Sequence, residues 1–411
     1  MLGKRLLMIS FYSYPSNETA SHRPCKLAKY LPRYGWTPVL LTVRWEPSNC
    51  DWWYDPILAA RGDVCETIRV PYNGTSRGTP RRFLGKCLSV LPRLLLPSKT
   101  PWSVWRKMLS ASHLLMSQRP VNAVWSTFGP GLDLEVAAAV SRKHHVPWVA
   151  DFRDLPDQFE RTWRNRQKVR AEVRVCASAA VLTTVSQGLA DRLAERHRAQ
   201  VSLVPHGFDP DDYPPLSTSQ HDKFTIAYFG SAATDKQRDA GPLFAALDDL
   251  ADMGHVNLDD VSVQFYGGSP VPIESSARGH NCARVVQWHS WIPHREALLK
   301  QQRATLLLLL SASTAKGIMT GKLTSYLGAR RPILSVPGDN DVTDDILART
   351  RSGRSAASPS EIAELLLKWY REWKATGAVD FHGIDREIAT FSSEVQAAKL
   401  AGILDAISGP S

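Results

Sequence analysis

Short apolar runs alternate with amphipathic stretches along most of the chain. The first run covers residues 5–11, and a β-branched run covers residues 37–43. Between them, residues at offsets 0, 3, 4 and 7 predict one face of a helix. These residues are Leu27, Tyr30, Leu31 and Tyr34. Gly35 follows and ends the predicted helix. Strand, helix and strand in this order form the unit that builds parallel sheets.

The same alternation continues to residue 337. Further runs with the length and composition of buried strands are residues 121–127, 147–153, 179–185, 201–205, 224–230, 261–267, 285–291, 305–311 and 331–337. Each is separated from the next by enough chain for a helix. Runs that are apolar throughout are typical of parallel sheets covered on both faces. The pattern therefore predicts an α/β protein with crossover helices.

The segment 205–219 is rich in Pro, Asp and Ser and predicts a hinge between two domains. We expect two tandem Rossmann-like, doubly wound parallel-sheet domains, at residues 1–205 and 206–385, with a cleft between them. Helical spacing returns at the end of the chain, at Leu400, Ile403, Leu404 and Ile407. Residues 386–411 are therefore predicted to form a C-terminal helix that packs back across the domains.

Composition supports a globular protein. The chain has 411 residues, of which 43% are hydrophobic and 22% charged, and its mean hydropathy is −0.24. Its longest apolar runs, such as residues 306–310, fall far short of the roughly 20 residues that span a bilayer, and residues 1–10 are too short for a signal-peptide core. The six cysteines are isolated, with no histidine at metal-ligand spacing. We expect a cytoplasmic protein without a metal site.

Positive charge is concentrated in the first half. Residues 1–205 carry 30 Lys and Arg against 15 Asp and Glu, a net charge of +15, whereas the remainder carries −5. No acidic residue occurs between Glu66 and Asp133. The candidate membrane contacts in this stretch are Arg81, Arg82, Trp102, Trp105, Arg106 and Lys107. Basic residues interleaved with Trp and Leu favour an anionic membrane surface. A solvated loop is the alternative, and no nucleic-acid-binding motif is found.

Charged side chains follow one predicted strand of the first domain. The segment 147–154 ends in Asp151, Arg153 and Asp154. Ligands of open α/β sheets bind beyond the carboxyl ends of the strands, and a carboxylate there can accept a proton or orient an acceptor hydroxyl. A structural ion pair is the alternative. His206, near the predicted hinge, and His22 with Arg23, at the start of the first helix, are further candidates for lining a cleft.

Two segments of the second domain have the features of a phosphate site. Gly230 and Ser231 end its first strand, and Arg238 follows; glycine permits close backbone approach and arginine offers a bidentate fork. Further on, Thr320, Gly321 and Lys322 begin a helical stretch, where free amides, the helix dipole and a lysine favour a diphosphate. This is not a P-loop, because Leu323 occupies the last motif position. A simple turn and a capped surface helix are the alternatives.

Together these segments resemble bacterial glycosyltransferases of family 4, which have the GT-B fold. The segments that carry the resemblance, which covers almost the whole chain, are residues 6–11, 23–36, 126–130, 147–154, 183–186, 204–209, 321–323, 326–327 and 331–334. The Asp-Phe-Arg-Asp string at residues 151–154 is fairly specific.

The resemblance implies transfer of a sugar from a nucleotide-sugar, with UDP or GDP as the nucleotide, without a metal or other cofactor. The C-terminal domain would hold the donor, with Arg238, Lys322 and the amides around Thr320 and Gly321 on the diphosphate. The N-terminal domain would hold the acceptor near His22 and Arg23, with Asp151 and Asp154 orienting it. The family commonly retains the anomeric configuration, and many members act on lipid-linked acceptors at the inner face of the cytoplasmic membrane in cell-surface polysaccharide biosynthesis.

Two positions depart from the family pattern. Ser325 stands where relatives usually have the glutamate that holds the nucleotide ribose, and Gly317 replaces a second glutamate upstream. Ser325 can contact the ribose only through an uncharged hydrogen bond. Two other functions therefore stay open: a nucleotide-sugar epimerase on the same fold, and a binding subunit without catalytic activity.

Overall fold

The computed structural model describes residues 3–50, 54–72, 102–158, 162–215, 222–231, 238–311 and 316–409. The chain forms two compact units. The first contains residues 1–207 and 393–411, and the second contains residues 208–392. Each unit is a parallel sheet with helices, so the predicted fold class is confirmed.

The sheet of the first unit has seven strands within the described residues, all parallel, in the order β3-β2-β1-β4-β5-β6-β7. They are β1 Lys4–Ile9, β2 Trp36–Val43, β3 Glu66–Val70, β4 Ala123–Thr127, β5 Trp148–Phe152, β6 Val181–Thr184 and β7 Val201–Leu203. Leu7 on β1 lies opposite Val39 and Val124, and all three side chains are buried. The apolar runs in the sequence thus form the strands of a sheet, and helices cover both faces of that sheet.

The described α-helices of the first unit before residue 207 are α1 Thr19–Tyr30, α2 Pro47–Cys50, α3 Pro56–Arg61, α4 Trp102–Gln118, α5 Leu132–His144, α6 Trp163–Cys176 and α7 Gln187–His197. The predicted first helix is shorter than expected, because Leu31–Tyr34 continue as a 3₁₀ turn after Tyr30. Gly35 ends that turn at φ = 80°, a left-handed conformation that glycine adopts without strain.

The sheet of the second unit has the order β10-β9-β8-β11-β12-β13, again parallel throughout its described strands. They are β8 Phe224–Phe229, β9 Val261–Tyr266, β10 Val286–His289, β11 Leu306–Leu310, β12 Ile333–Val336 and β13 Gly353–Ser355. Its helices are α8 Gly241–Asp252, α9 Val271–Ala277, α10 His294–Arg303, α11 Gly321–Ala329, α12 Val342–Thr350, α13 Pro359–Thr376 and α14 Asp385–Ala389. Phe224 packs against Tyr370 and Trp373 of α13, which anchors that helix to the sheet.

The last helix, α15 Ser393–Ser408, belongs to the first unit. Its buried face packs with α1 and includes Ala397, Leu400 and Leu404. The second unit runs to Ser392 rather than to residue 385, because α14 packs with α12 and the Ile384 amide donates to the Thr350 carbonyl.

Candidate functional site

Each sheet has one point at which the strand order reverses. In the first unit this point lies between β1 and β4, and in the second between β8 and β11. The helices that follow the two strands then lie on opposite faces, which leaves a crevice at the carboxyl ends. The residues just after these four strands are therefore the candidates for a binding site.

In the second unit, Lys322 lies against the backbone that follows β8. Gly230 has φ = +126°, and a Cβ at this position would lie 2.2 Å from Lys322 Cε and 2.8 Å from its Nζ. The lysine side chain therefore occupies the space that any side chain at residue 230 would fill. Its ammonium also lies 5.4 Å from the centre of the Tyr228 ring. Gly230 and Lys322, identified separately in the sequence, thus form one site at the switch point.

The N-terminus of α11 is the second component of this site. The Thr320 side chain accepts a hydrogen bond from the Leu323 amide at 3.3 Å, so Thr320 is the N-cap of this helix. One turn beyond Lys322, the Tyr326 hydroxyl accepts a bond from the Phe229 amide at 3.0 Å. This buried bond fixes the helix against the end of β8. A helix start and a lysine at one strand end provide a site for a diphosphate.

The other predicted donor-site residues have different surroundings. The Ser325 hydroxyl donates to Gln301 Oε1 at 2.7 Å and accepts from the Tyr213 hydroxyl at 3.3 Å, so it links α11 to α10. The carbonyl of Ser231 accepts from the Tyr228 hydroxyl at 3.0 Å. Arg238 is half-buried, and no hydrogen bond or ion pair within the described residues joins it to the site. The Gly317 amide donates to the Asp341 carboxylate.

Three planar side chains stack across the carboxyl ends of neighbouring strands, a feature that the sequence analysis missed. The Phe229 and Tyr266 ring centres are 4.8 Å apart, and those of Tyr266 and His289 are 4.5 Å apart, with interplanar angles of 7° and 14°. Register pairs Phe229 with Tyr266 and Tyr266 with His289. The sequence alone does not show that these side chains are neighbours, because their pairing follows from the strand order. Burial lowers the pKa of His289, so its imidazole is neutral near pH 7.

In the first unit, Asp151 is the centre of a buried network at the end of β5. Its two carboxylate oxygens accept bonds from Arg23 at 2.7 and 2.8 Å, and from Thr127 and Thr183 at 2.8 and 2.7 Å. Arg23 also donates to the Val204 and Pro205 carbonyls. Asp151 has no exposed surface. The geometry therefore makes this pair an anchor that joins α1 to the sheet.

The switch point of the first unit contains a carboxyl group that the sequence analysis missed. Asp133, in the first turn of α5, is fully buried and accepts a bond from the Phe11 amide at 2.8 Å through Oδ2. Its Oδ1 has no hydrogen-bond partner among the described residues. Burial raises the pKa of this carboxyl well above its usual value, only partly opposed by the Phe11 amide and the Arg153 cation. A buried residue two positions after Pro130-Gly131 has no distinctive sequence pattern.

Arg153 lies near the same switch point. Gly129, at φ = +124°, leaves room for the guanidinium, because a Cβ there would lie 2.8 Å from Arg153 Nη2. Asp154 is 3.7 Å from Arg153 Nε, and 48% of its side chain is exposed. Of the two predicted carboxylates, Asp154 is therefore the one that a bound molecule can reach.

The predicted histidines are both in the first unit. His22 Nδ1 is 3.1 Å from the Tyr14 hydroxyl. Burial, with the Arg23 and Arg153 cations, lowers the pKa of His206 well below its usual value, so this imidazole is neutral near pH 7.

The predicted membrane contacts are only partly described. Arg81 and Arg82 lie outside the described residues. Trp102 and Trp105 stack in the first turn of α4 with ring centres 4.3 Å apart, and Trp102 is 47% exposed. Arg106 and Lys107 follow them and are exposed, so the N-terminal end of α4 presents aromatic and basic side chains together. Among the described helices, none is long and apolar enough to cross a membrane. The described residues contain no group of three or more possible metal ligands.

No protein-family profile and no curated protein matches the sequence. Solved structures do match over nearly the whole chain. Sucrose-phosphate synthase from Thermosynechococcus elongatus has a TM-score of 0.62 at 14% identity, covering 97% of this chain and 98% of its own. HepE from Anabaena, in complex with UDP and glucose, has a TM-score of 0.64 at 11% identity, covering 98% and 99%. WaaG, a glycosyltransferase involved in lipopolysaccharide biosynthesis, has a TM-score of 0.58 at 15% identity, covering 98% and 100%.

At these identities the likeness establishes the fold. The chain has two Rossmann-like domains arranged in sequence as in GT-B proteins, and its structural neighbours are GT-B glycosyltransferases.

Proposed function

We propose that the protein is a glycosyltransferase that takes a sugar from a UDP-sugar. The observation that carries this proposal is the position of Lys322 against Gly230, beside the capped start of α11. An ammonium group and free helix amides stabilise the negative charge that develops on a departing diphosphate. HepE, a neighbour with the same fold, has been solved in complex with UDP and with UDP-glucose, which favours UDP over GDP.

In the reaction, the bond between the anomeric carbon and the diphosphate oxygen breaks, and its electron pair stays on the nucleoside diphosphate. The acceptor oxygen forms the new bond to the anomeric carbon. Its proton passes to a carboxylate of the first unit, for which Asp154 is the candidate. The Asp154 side chain is exposed, so an acceptor can reach it. Asp151 and Arg23 hold this strand end in place.

The remaining parts of the proposal concern the acceptor and the location. We place the acceptor on the first unit, which carries the excess positive charge, and the protein at the inner face of the cytoplasmic membrane. The exposed Trp102, Arg106 and Lys107 support membrane contact. Retention of configuration and independence of metals complete the proposal, together with a role in polysaccharide or glycolipid synthesis.

A ligand panel tests the donor site. UDP, GDP and their common sugars are added to the purified chain, and thermal unfolding is recorded with and without EDTA. A ligand at about 100 times its Kd stabilises the folded state by roughly 2.7 kcal/mol, so a binding nucleotide raises the Tm clearly. We expect a UDP-dependent shift that EDTA leaves unchanged and that Lys322→Met removes. Absence of any shift in the wild type contradicts the proposal and favours a subunit without donor binding. If the protein instead converts a nucleotide-sugar into its epimer when no acceptor is present, it is an epimerase.

A further inference from the structure

Aromatic residues follow three neighbouring strands of the first unit. Phe11 and Tyr12 follow β1, Trp45 follows β2 and Tyr72 follows β3. These strands are adjacent in the sheet and parallel, so their carboxyl ends meet at one edge. We call these four residues the aromatic cluster.

The aromatic cluster has a buried base and two partly exposed members. Phe11 and Trp45 are each only 4% exposed, whereas Tyr12 and Tyr72 are half-buried. The rings of Tyr12 and Trp45 are parallel to within 4°, with centres 5.4 Å apart. Tyr72 meets Phe11 and Trp45 edge to face at 5.2 and 5.5 Å.

The base of the cluster is also held by hydrogen bonds. Trp45 Nε1 and the Thr42 hydroxyl both donate to the Phe11 carbonyl, at 3.3 and 3.0 Å. The two tyrosines therefore rest on a support that packing and hydrogen bonds keep rigid. A rigid aromatic surface binds a partner with little loss of conformational freedom.

Charged groups of the first unit act electrostatically on the Tyr12 hydroxyl. Burial raises the pKa of Tyr12 to about 12, and the Glu18 carboxylate and the Tyr72 hydroxyl act in the same direction, with Arg153 opposing them. Asp133, with its unpaired carboxyl oxygen, is part of the same electrostatic neighbourhood. The phenol stays protonated and can donate a hydrogen bond, while the half-buried Glu18 carboxylate can accept one. The aromatic cluster is thus accompanied by hydrogen-bonding groups.

We propose that Tyr12 and Tyr72 form a stacking surface for a pyranose ring, so that the acceptor is bound as a saccharide through its sugar. This inference rests on the proposed function and names the acceptor class for it. A pyranose has an apolar face of C–H groups and a rim of hydroxyls, which match the rings and the polar groups around them. A lipid chain would cover the same donors and acceptors without pairing them, which is unfavourable.

Saturation-transfer NMR on the full chain tests this surface. The probes are methyl α- and β-glucoside, methyl β-galactoside, maltose and cellobiose, each added with UDP present. We expect transfer from the protein to at least one sugar, strongest at the C–H protons of one ring face. Tyr72→Leu should weaken that binding about three- to tenfold, the range for loss of one aromatic contact. Tyr72→Phe, which keeps the ring, should retain most of it.

A matched control is Tyr34→Leu, at another partly exposed tyrosine of the same unit. It should leave sugar binding unchanged. If no sugar shows transfer, or if Tyr72→Leu and Tyr34→Leu behave alike, the inference is overturned. It is also overturned if Tyr72→Leu abolishes binding to phosphatidylglycerol vesicles while sugar binding persists, because the surface would then contact lipid.

Binding of UDP, measured in the same samples, separates this inference from the proposed function. The donor site lies in the second unit, so every variant should bind UDP as the wild type does. Wild-type protein that binds no UDP contradicts the proposed function. Normal UDP binding with sugar binding that is indifferent to Tyr72 contradicts only the saccharide surface. If Tyr72→Leu does not fold, Tyr72→His, which keeps a planar ring, and the sugar proton map of the wild type decide the question.

Discussion

Replacement of Gly230 by alanine separates backbone strain from loss of the donor site. At φ = +126° an alanine is strained by about 1–3 kcal/mol, which lowers the free energy of unfolding by that amount. The new methyl group would also lie 2.2 Å from Lys322 Cε, so the lysine side chain must move. Because it is the far end of a flexible side chain, this movement adds little to the loss of stability.

For Gly230→Ala, the loss of UDP affinity should be more pronounced than the loss of folding stability. A hydrogen bond to a charged group contributes about 1.5–3 kcal/mol, so displacement of the ammonium should weaken UDP binding roughly ten- to hundredfold. Gly254 provides the control in the same unit: it has φ = +70°, and a Cβ there would meet no atom within 4 Å. Gly254→Ala should therefore lose a similar amount of stability, about 1–2 kcal/mol, and bind UDP normally.

The assay pairs urea unfolding with isothermal titration of UDP for both variants. The prediction is refuted if Gly230→Ala binds UDP within twofold of the wild-type Kd and also loses as much folding stability as Gly254→Ala. That result would mean that the lysine does not contact the diphosphate.

Substitutions at Asp151, Asp133 and Ser325 test the roles of the other polar side chains. Asp151→Asn should lower the free energy of unfolding by about 3–5 kcal/mol, because it leaves the buried Arg23 guanidinium without its counter-charge. Asp154→Asn should lower the transfer rate with little change in the urea midpoint. If the double variant transfers sugar within a few-fold of the wild-type rate, neither carboxylate is catalytic. The raised pKa of Asp133 means that the folded state binds its proton more tightly than the unfolded state, so stability falls as pH rises above about 3.8, and Asp133→Asn should flatten that part of the urea-stability profile. Ser325→Ala leaves Gln301 without its hydrogen-bond donor and should lower the free energy of unfolding by about 1–3 kcal/mol. Titration with UDP should give an unchanged Kd. A clear loss of UDP affinity would instead show that Ser325 contacts the ribose.

The strands that could be predicted from the sequence are those that form a short, mostly apolar run. The runs at residues 224–230 and 305–311 correspond to β8, which is one residue shorter at its end, and to β11, which is one residue shorter at each end. β3 and β13 were missed because neither has such a run. β3 reads Glu-Thr-Ile-Arg-Val and is mostly half-buried, and β13 has only three residues, none of them apolar. Neither produces the continuous apolar run that identifies an inner strand.

The site could be predicted only in part, for a related reason. Gly230 and Lys322 have local signals, a glycine after a strand and a lysine at a helix start, and the fold brings them together. The role of Asp151 depends on Arg23, which is 128 residues away, so the sequence could not distinguish a buried pair from an accessible carboxylate. Asp133 was missed because its free oxygen results from packing, which has no local pattern.

The first unit is assembled from both ends of the chain, and this has a consequence for synthesis. Gly207 lies directly against Ser393, and in the second unit Phe208 pairs with Ser392, so the second unit is an insertion whose ends meet. The ribosome therefore completes the second unit before α15 exists, and the first unit must wait for its last helix with part of its core uncovered. Deletion of residues 208–392, joining Gly207 to Ser393, should yield the first unit as one continuous folded chain.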